Sequence, residues 1–175
     1  MTTDKSLPEV IDELLAQAQP PATLLNQVVE LVGKTLDADR CFLYVRQPTK
    51  KRGRIAFCWR KDETVPNVIQ PDWQEADSIE LPQEDPLFRA AITLQPSVYV
   101  DDVETAGPDV LNREFEHKTF GHRALIHAHI TRDGELWGIL QPCVFGKPRR
   151  WTDEEKRQIE AILSRLQPVI VHYVR

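Results

Sequence analysis

Two runs of apolar and β-branched side chains surround a tight turn between residues 121 and 145, and this hairpin is predicted to be the middle of the fold. The runs cover residues 122–132 and 135–145 and are separated by Asp133 and Gly134. This dipeptide tolerates two successive positive φ angles and is typical of a two-residue hairpin turn. Because both faces of the predicted hairpin are largely apolar, we expect other elements to cover both of them.

A two-residue loop decides which residues of the hairpin lie opposite each other. With such a loop, Arg132 pairs with Glu135, and His129 pairs with Gly138. Cys143 is then predicted to lie on the other face of the hairpin from His129, and a bulge with one inserted residue is the alternative that would change this face. The face that carries His129 is predicted to comprise Arg123, Leu125, His127, His129 and Thr131 with Leu136, Gly138, Leu140, Pro142 and Val144.

Apolar residues at helical spacing predict helices at both ends of the chain. Ser6 is expected to cap the first helix with Glu9 completing a capping box, and Thr152 and Glu155 repeat this pattern at the last helix. Pro168 lies inside the last helix and is expected to kink it or break it locally. The other predicted elements are a helix at 22–36, a strand pair at 41–46 and 55–60, a helix that opens at Asp85 and Pro86, a strand at 97–100 and a helix at 112–118.

The periodic pattern weakens between residues 61 and 83, where only a short strand at Ser78–Leu81 is predicted. Long irregular segments are uncommon inside a compact domain, which favours a lid or contact role for this one. A basic hairpin tip precedes it, and its lysines and arginines are interpreted as a solvated turn, with docking to an acidic partner as the alternative. The element order predicts an α+β fold, an antiparallel β-sheet with helices packed on both faces.

Length and composition fit one soluble domain. The chain has 175 residues, a formal net charge of −5 and 41% hydrophobic residues. This charge argues against a non-specific nucleic-acid binder, and no apolar run approaches the roughly 20 residues that span a bilayer. No secretory pattern opens the chain, so we expect a cytoplasmic protein. Its cysteines, Cys41, Cys58 and Cys143, lack C-x-x-C spacing and are interpreted as buried thiols in a reducing compartment.

Four short motifs stand in a fixed order along the chain. They are LDADRCFLY at 36–44, DPLF at 85–88 with VDDV at 100–103, GELWGIL at 134–140 and WTDEE at 151–155. Together they resemble the GAF domain family over residues 20 to 172, and among its members the stand-alone GAF proteins of cyanobacteria. The resemblance implies an N-terminal helix at 1–19 and a GAF domain at 20–175.

Three activities of the family can be compared with this sequence residue by residue. The bilin-binding cysteine of phytochrome-like GAF domains corresponds to Asn112-Arg113, so the thiol is missing and a covalent bilin is not expected. The cyclic-nucleotide signature N-K-x-F-x-D-E is matched only at its start, by residues 112–115. The free methionine sulfoxide reductases need cysteines clustered in pocket loops, whereas the three cysteines here fall in predicted strands.

His127 and His129 are the strongest candidates for ligand contacts. Two residues apart on a strand, they share a face, and in phytochrome-like relatives the matching face lines the ligand pocket. Two imidazoles could bond an anionic or heterocyclic ligand, or help to ligate a metal or haem. The alternative is a pair of buried neutral histidines bonded to backbone or water. Arg123, Leu125 and Gly138 complete the predicted ligand-binding set, with no metal and no cofactor assigned.

Other residues receive structural interpretations. Arg123 could pair with an acidic ligand, and structural pairing with Asp101 or Glu116 is the alternative. His117 and His122 are expected at the surface. The sequence contains no catalytic triad, paired-carboxylate or phosphate-loop motif, so no enzyme activity is expected.

The resulting hypothesis is a non-catalytic sensory or regulatory module that binds a small ligand or a protein partner in signalling. The apolar stripes of the terminal helices predict a homodimer. A pure docking module without a ligand is the first alternative, and a small redox enzyme of the free methionine sulfoxide reductase type is the second. Neither nucleic acid nor a membrane is an expected partner.

Overall fold

The helices and strands form in the predicted order over the residues that the computed structural model describes, 5–75 and 83–175. The strand predicted at Ser78–Leu81 lies outside these residues. A 3-10 turn, Pro48–Lys50, joins the first two strands. The elements are α1 (Leu7–Ala16), α2 (Pro21–Thr35), β1 (Arg40–Gln47), β2 (Arg52–Arg60), α3 (Pro86–Ile92), β3 (Val98–Val100), α4 (Arg113–Thr119), β4 (Ala124–Arg132), β5 (Glu135–Val144) and α5 (Asp153–Val174).

The five strands form one antiparallel sheet in the order β2–β1–β5–β4–β3. The predicted hairpin, β4 and β5, lies inside this sheet, and most residues of both strands are buried. Helices α1, α2 and α5 pack on one face and enclose the larger apolar cluster. Helices α3 and α4 lie over the other face, around the second cluster. The predicted α+β fold with helices on both faces is therefore confirmed.

The register of the central hairpin changes two residues beyond its turn. A bulge inserts one residue on β5 between the partners of Ile130 and Thr131, so that His129 pairs with Ile139 and Gly138 pairs with Ile130. The predicted pairing of His129 with Gly138 is therefore wrong. Side chains alternate between the two faces of a sheet. One inserted residue on β5 therefore places every later β5 side chain on the opposite face from the one predicted.

The exchange of faces moves Cys143 to the side of the sheet that carries the histidines. Cys143 pairs with Leu125 across the hairpin, and both belong to the second apolar cluster. The prediction that Cys143 lies on the other face is wrong for the same reason, the bulge near the turn. Ile139 and Gln141 follow the same parity, so they line the same side as His127.

Both predicted capping boxes form. Ser6 and Glu9 exchange side-chain and backbone hydrogen bonds at the start of α1, and Thr152 and Glu155 do so at α5. Of the two effects predicted for Pro168, a kink or a local break, the break does not occur, since α5 continues through it. The residues on both sides of Pro168 are anchored in the apolar core, so tertiary packing offsets the lost backbone donor.

The described part of the irregular segment, residues 61–75, lies along the free edge of β2. Gly53 and Gln74 exchange backbone hydrogen bonds at 2.8 and 2.7 Å. Arg52 and Arg54 of the basic tip stack over Trp73 on this segment, so only part of that tip is free in solvent. The lid role stays a prediction. Within the described residues, no helix combines the length and the apolar character that crossing a membrane requires.

Replacing Gly33 with alanine is expected to destabilise the protein, although the same change on an exposed helix stabilises by about 1 kcal/mol. A Cβ on Gly33 of α2 would lie 2.2 Å from Cε3 of Trp59 on β2. The ring must therefore move, at a cost of roughly 1–3 kcal/mol. Urea unfolding measures the change. In a Trp59→Leu background the same substitution should become neutral or stabilising, and destabilisation that persists there would contradict the steric explanation.

Candidate functional site

A cavity of about 340 Å³ lies between the sheet and α4, on the side away from α1, α2 and α5. Small-molecule sites in proteins occupy about 300–1,000 Å³, so the cavity is large enough for a ligand. The strands contribute its floor, which consists of Tyr44, Ile55, His127, Ile139 and Gln141. Its mouth is marked by the exposed residues Gln74, Glu75 and Thr119, which also line it.

A chain of hydrogen bonds fixes the tautomers of the two histidines. Nδ1 of His129 lies 2.8 Å from the carbonyl oxygen of Gln95, which can only accept, so this nitrogen carries the proton. Nε2 of neutral His129 is then an acceptor, 2.8 Å from Nδ1 of His127, which must donate. The remaining nitrogen of His127, Nε2, is left as a bare acceptor. No described residue bonds to it, and His127 lines the cavity.

Both imidazoles are held in the neutral form. Burial lowers the pKa of His127 well below its ordinary value, and the neighbouring His129 lowers it further. Burial also lowers the pKa of His129, against the opposing effect of the Gln95 carbonyl. His129 matches the interpretation of a buried histidine bonded to backbone. His127 is 3% exposed and is the one of the pair that lines the cavity, so it is the candidate for ligand contact.

Two buried carboxyl groups line the same cavity, and the sequence analysis did not assign them to it. Asp85 caps α3 by accepting from the backbone N–H of Leu87 at 3.1 Å. Burial, and to a smaller extent the nearby Glu116, raise its pKa to about 7 against the opposing effect of its backbone hydrogen bonds. Glu116 projects from α4, is 1% exposed, and has a pKa raised by burial to about 8. Only Asp85 carries a signal in the sequence, as a helix cap.

Glu116 is bonded to a buried histidine, contrary to the prediction that His122 lies at the surface. His122 is 1% exposed, and its Nε2 lies 2.7 Å from Oε2 of Glu116. Its Nδ1 lies 3.3 Å from Sγ of Cys143, whose thiol donates to the carbonyl oxygen of Gln141. Because the thiol hydrogen is used there, Nδ1–H donates to sulfur and the Glu116 carboxyl donates to Nε2 when it is protonated. His117, in contrast, is exposed as predicted.

A fully buried guanidinium lies behind this chain. Arg40 of β1 donates to the carbonyl oxygens of Pro66 and Phe120 at 3.0 and 3.3 Å. It also stacks over the rings of Phe42 and Phe145. Its positive charge opposes the rise of the Glu116 pKa without cancelling it. Arg40 therefore balances charge near the cavity but does not line it.

Three other predicted ligand contacts lie away from the cavity lining. Arg123 forms a two-point pair with Asp102, at 2.6 and 3.1 Å, so a structural partner occupies it, although neither of the two partners that sequence named. Leu125 is fully buried in the second apolar cluster beside Cys143. Gly138 lies on the face of the sheet that α5 covers, where an added Cβ would meet Ile170. The bulge explains the displacement of Gly138.

The cysteines lie on strands, as predicted. Cys41 and Cys143 are fully buried, while Cys58 is half-buried. Burial raises the pKa of Cys41 and of Cys58. Across residues 5–75 and 83–175, no group of three or more histidine, cysteine or acidic side chains is placed to hold a metal ion.

The structure combines an α+β fold with a cavity on one face of the sheet, and comparison with known proteins identifies its family. The model of the GAF domain matches residues 20–167, so the chain belongs to the GAF domain family, as predicted. None of the curated proteins compared with the chain matches it.

Solved structures support this assignment at the level of fold. The phycocyanobilin-bound GAF domain of a cyanobacterial phytochrome is 17% identical, with a TM-score of 0.74 over 97% of this chain and 96% of that one. The GAF domain of a phosphoenolpyruvate-protein phosphotransferase from Coxiella burnetii is 16% identical, with a TM-score of 0.72 over 95% and 91%. The chromophore-binding domain of a bacteriophytochrome from R. palustris is 18% identical, with a TM-score of 0.71 over 95% and 60%.

Proposed function

We propose that this GAF domain is a non-catalytic sensory module that binds a small ligand in the cavity beside His127. The observation that carries the proposal is the bare Nε2 of a buried histidine in a cavity of about 340 Å³. This nitrogen faces the cavity and has no partner among the described side chains. A ligand that donates a hydrogen bond to it would gain affinity and orientation from that bond.

The pre-set tautomer strengthens this proposal. His129 and the Gln95 carbonyl hold the His127 ring in one orientation and one protonation pattern before any ligand arrives. Preorganisation of this kind lowers the entropic cost of binding. His129 is accordingly proposed as a positioning residue, and His127 as the ligand contact. Arg123, Leu125 and Gly138 are not retained as proposed contacts, because they do not line the cavity.

A covalent bilin is not proposed, although one structural relative carries phycocyanobilin. The position of the expected bilin cysteine is the start of α4, where Asn112 is the cap. The described thiols are all on strands, and none of them lines the cavity. A reductase role is disfavoured on the same ground, since burial raises the pKa of Cys41 and Cys58 and disfavours reactive thiolates.

The docking module without a ligand requires a filled core behind His127, and the cavity counts against it. A homodimer through the terminal helices stays a prediction. The apolar stripes of α1, α2 and α5 are already used in the core, and among the described residues only Ile69 and Leu94 are large exposed hydrophobics. A dimer would therefore have to use the outer helix faces, and sedimentation equilibrium over a range of concentrations measures it.

The ligand should be visible in protein purified from the organism that encodes it. Native mass spectrometry with an absorption spectrum of the same sample is expected to find a bound mass or a visible band. His127→Phe should remove it, because phenylalanine keeps the volume of the side chain without an acceptor. His172→Ala on α5 is the matched control, since this exposed histidine lies on the other side of the sheet. A clean unliganded protein in all three samples would favour the docking module.

A further inference from the structure

The charged side chains that line the cavity are all acidic. Asp85 and Glu116 are buried carboxyls, and the exposed Glu75 adds a third at the mouth. Among the described lining residues there is neither a lysine nor an arginine. A ligand with a carboxylate or phosphate would meet acids and no cation there. The anionic ligand considered from the sequence is therefore disfavoured by the charge of the site.

Two buried polar side chains reach the cavity without a partner among the described residues. One is His127, whose Nε2 is a fixed acceptor. The other is Gln141, which is 5% exposed and whose side-chain amide makes no hydrogen bond to a described residue, although its backbone oxygen does. The His127 nitrogen and the Gln141 amide oxygen can each accept a hydrogen bond from a ligand in the cavity, and the Gln141 amide nitrogen can donate one.

The remaining wall is aromatic. Phe88 and Tyr44 meet edge to face with their ring centroids 6.0 Å apart, and Phe115 and Phe120 meet in the same way at 6.2 Å. All four line the cavity, and the ring of Phe120 is itself stacked against Phe42 and His122, so the attraction for a cation is assigned to the other three. The faces of aromatic rings attract cations, and the attraction grows where water is excluded. Rings beside carboxylates form a site for a positively charged group on an apolar body.

The ionised side chains buried near the cavity carry a net charge of one negative unit. Arg40 carries one positive charge behind the site, and ionised Asp85 and Glu116 carry two negative ones. The ionised site is therefore left with one uncompensated negative charge, which a single cation neutralises. A dication or an anion would leave a net charge in a poorly solvated place.

We propose that the cavity binds an organic monocation, an ammonium or protonated ring nitrogen on a flat apolar body, with Asp85 and Glu116 as its counter-ions. His127 accepts a hydrogen bond from the ligand where the ligand carries an N–H. The inference rests on the proposed function, because it names the ligand class of the same site. It goes beyond it by excluding anionic ligands.

The proposal is tested with three probes that share a benzyl group and differ in the charge of a tetrahedral head. They are benzyltrimethylammonium, the neutral benzyl methyl sulfone and the anionic phenylmethanesulfonate. Isothermal titration calorimetry at pH 8.5 is expected to find the cation bound about tenfold or more tightly than the sulfone, from the usual strength of a charge-assisted contact. The sulfonate should not bind.

Two conservative variants assign the charge effect to the carboxyls. Asp85→Asn keeps the cap of α3, because asparagine is an equally good cap, and Glu116→Gln keeps a donor for His122. Each is expected to weaken binding of the cation about tenfold and to leave the sulfone unaffected. Glu154→Gln on α5, an exposed acid outside the cavity, is the control. Circular dichroism of every variant verifies that it is folded.

The dependence on pH gives an independent measurement. Benzyltrimethylammonium has a permanent charge, so any pH dependence belongs to the protein. The groups that face the two carboxyls are Arg40, Glu84, His117, His122 and each other. Because burial raises both carboxyl pKa values, to about 7 and about 8, the affinity should rise about tenfold or more between pH 6 and pH 8.5. The double variant should lose this dependence.

The outcomes separate the two proposals. Tighter binding of the sulfone or the sulfonate, removed by His127→Phe, would overturn the monocation and leave the ligand pocket in place. Binding of the cation that neither carboxyl variant weakens would also overturn it. If none of the probes binds, the monocation is wrong, and the proposed function then depends on the mass found in the purified native protein.

Discussion

Replacing Trp151 with alanine is expected to lower the free energy of unfolding by about 3–5 kcal/mol, the usual cost of deleting a buried aromatic ring. Trp151 is 2% exposed and lies directly ahead of α5. Its indole N–H donates to the carbonyl oxygen of Val100 at 3.0 Å. Its backbone N–H donates to the carboxylate of Asp101 at 3.1 Å. One residue thus fastens the last helix to the strand at the edge of the sheet.

Loss of the indole leaves two separate defects. The ring volume becomes a cavity that the surrounding core fills only in part. The carbonyl of Val100, a buried residue, loses its partner. Trp151→Phe separates the two, because it keeps most of the ring and removes only the donor, so it should cost about 1–2 kcal/mol.

Urea unfolding followed by circular dichroism measures these changes in the free energy of unfolding. In thermal unfolding, Trp151→Ala should lower Tm by about 10 °C for a chain of this size. Trp73→Ala is the matched control, since Trp73 is half-buried and lies on the irregular segment under two arginines. Equal losses at Trp151 and Trp73 would contradict the anchoring role.

Local signals predicted most of the fold because they act over a few residues. The turn at Asp133 and Gly134 has positive φ at both positions, 53° and 75°, as the dipeptide predicts. The caps of α1 and α5 form from residues three positions apart. Helical spacing placed α2 within one residue at each end. Turns, caps and helical spacing each depend on residues that are close together in the sequence, so a short stretch is enough to predict them.

The candidate site was harder to predict because it depends on distant contacts. Nothing near Ile130 announces the bulge that exchanges the faces of the hairpin. The sequence placed His127 correctly on a buried strand, but it could not show that His129 lies behind it, bonded to Gln95. Glu116 belongs to a helix of mostly polar residues, and the sequence suggested it only as a structural partner of Arg123. Only the packing of α4 over the sheet buries it.

The second large effect concerns the dependence of stability on pH. Glu116 has an ordinary pKa of 4.5 in the unfolded chain and a pKa of about 8 in the folded protein, raised by burial. The folded state therefore holds this proton more tightly. The proton on Glu116 stabilises the folded state fully below pH about 4.5. This stabilisation falls as the pH rises towards 8 and is lost above pH 8. Asp85 acts in the same direction up to its pKa of about 7.

Glu116→Gln should remove this loss of stability. Glutamine mimics the protonated carboxyl and can still donate to His122, so at pH 5 the variant and the wild type should differ by less than about 1 kcal/mol. At pH 8 the variant should be more stable by roughly 2–4 kcal/mol, since a tenfold change in an ionisation constant corresponds to about 1.4 kcal/mol and the charge of Arg40 limits the total. Urea unfolding at pH 5, 6.5 and 8 measures the difference.

Asp85→Asn provides the comparison that assigns the effect to a particular group. Its advantage over the wild type should level off near pH 7, whereas that of Glu116→Gln should grow until about pH 8. The groups that face Glu116 are Arg40, Asp85, His117 and His122, and of these Asp85 is the other acid. A variant that loses stability at pH 8 would contradict this explanation, because it would mean that the ionised Glu116 carboxylate stabilises the folded state there. The pH dependence of cation binding would then have to come from Asp85, with its pKa of about 7.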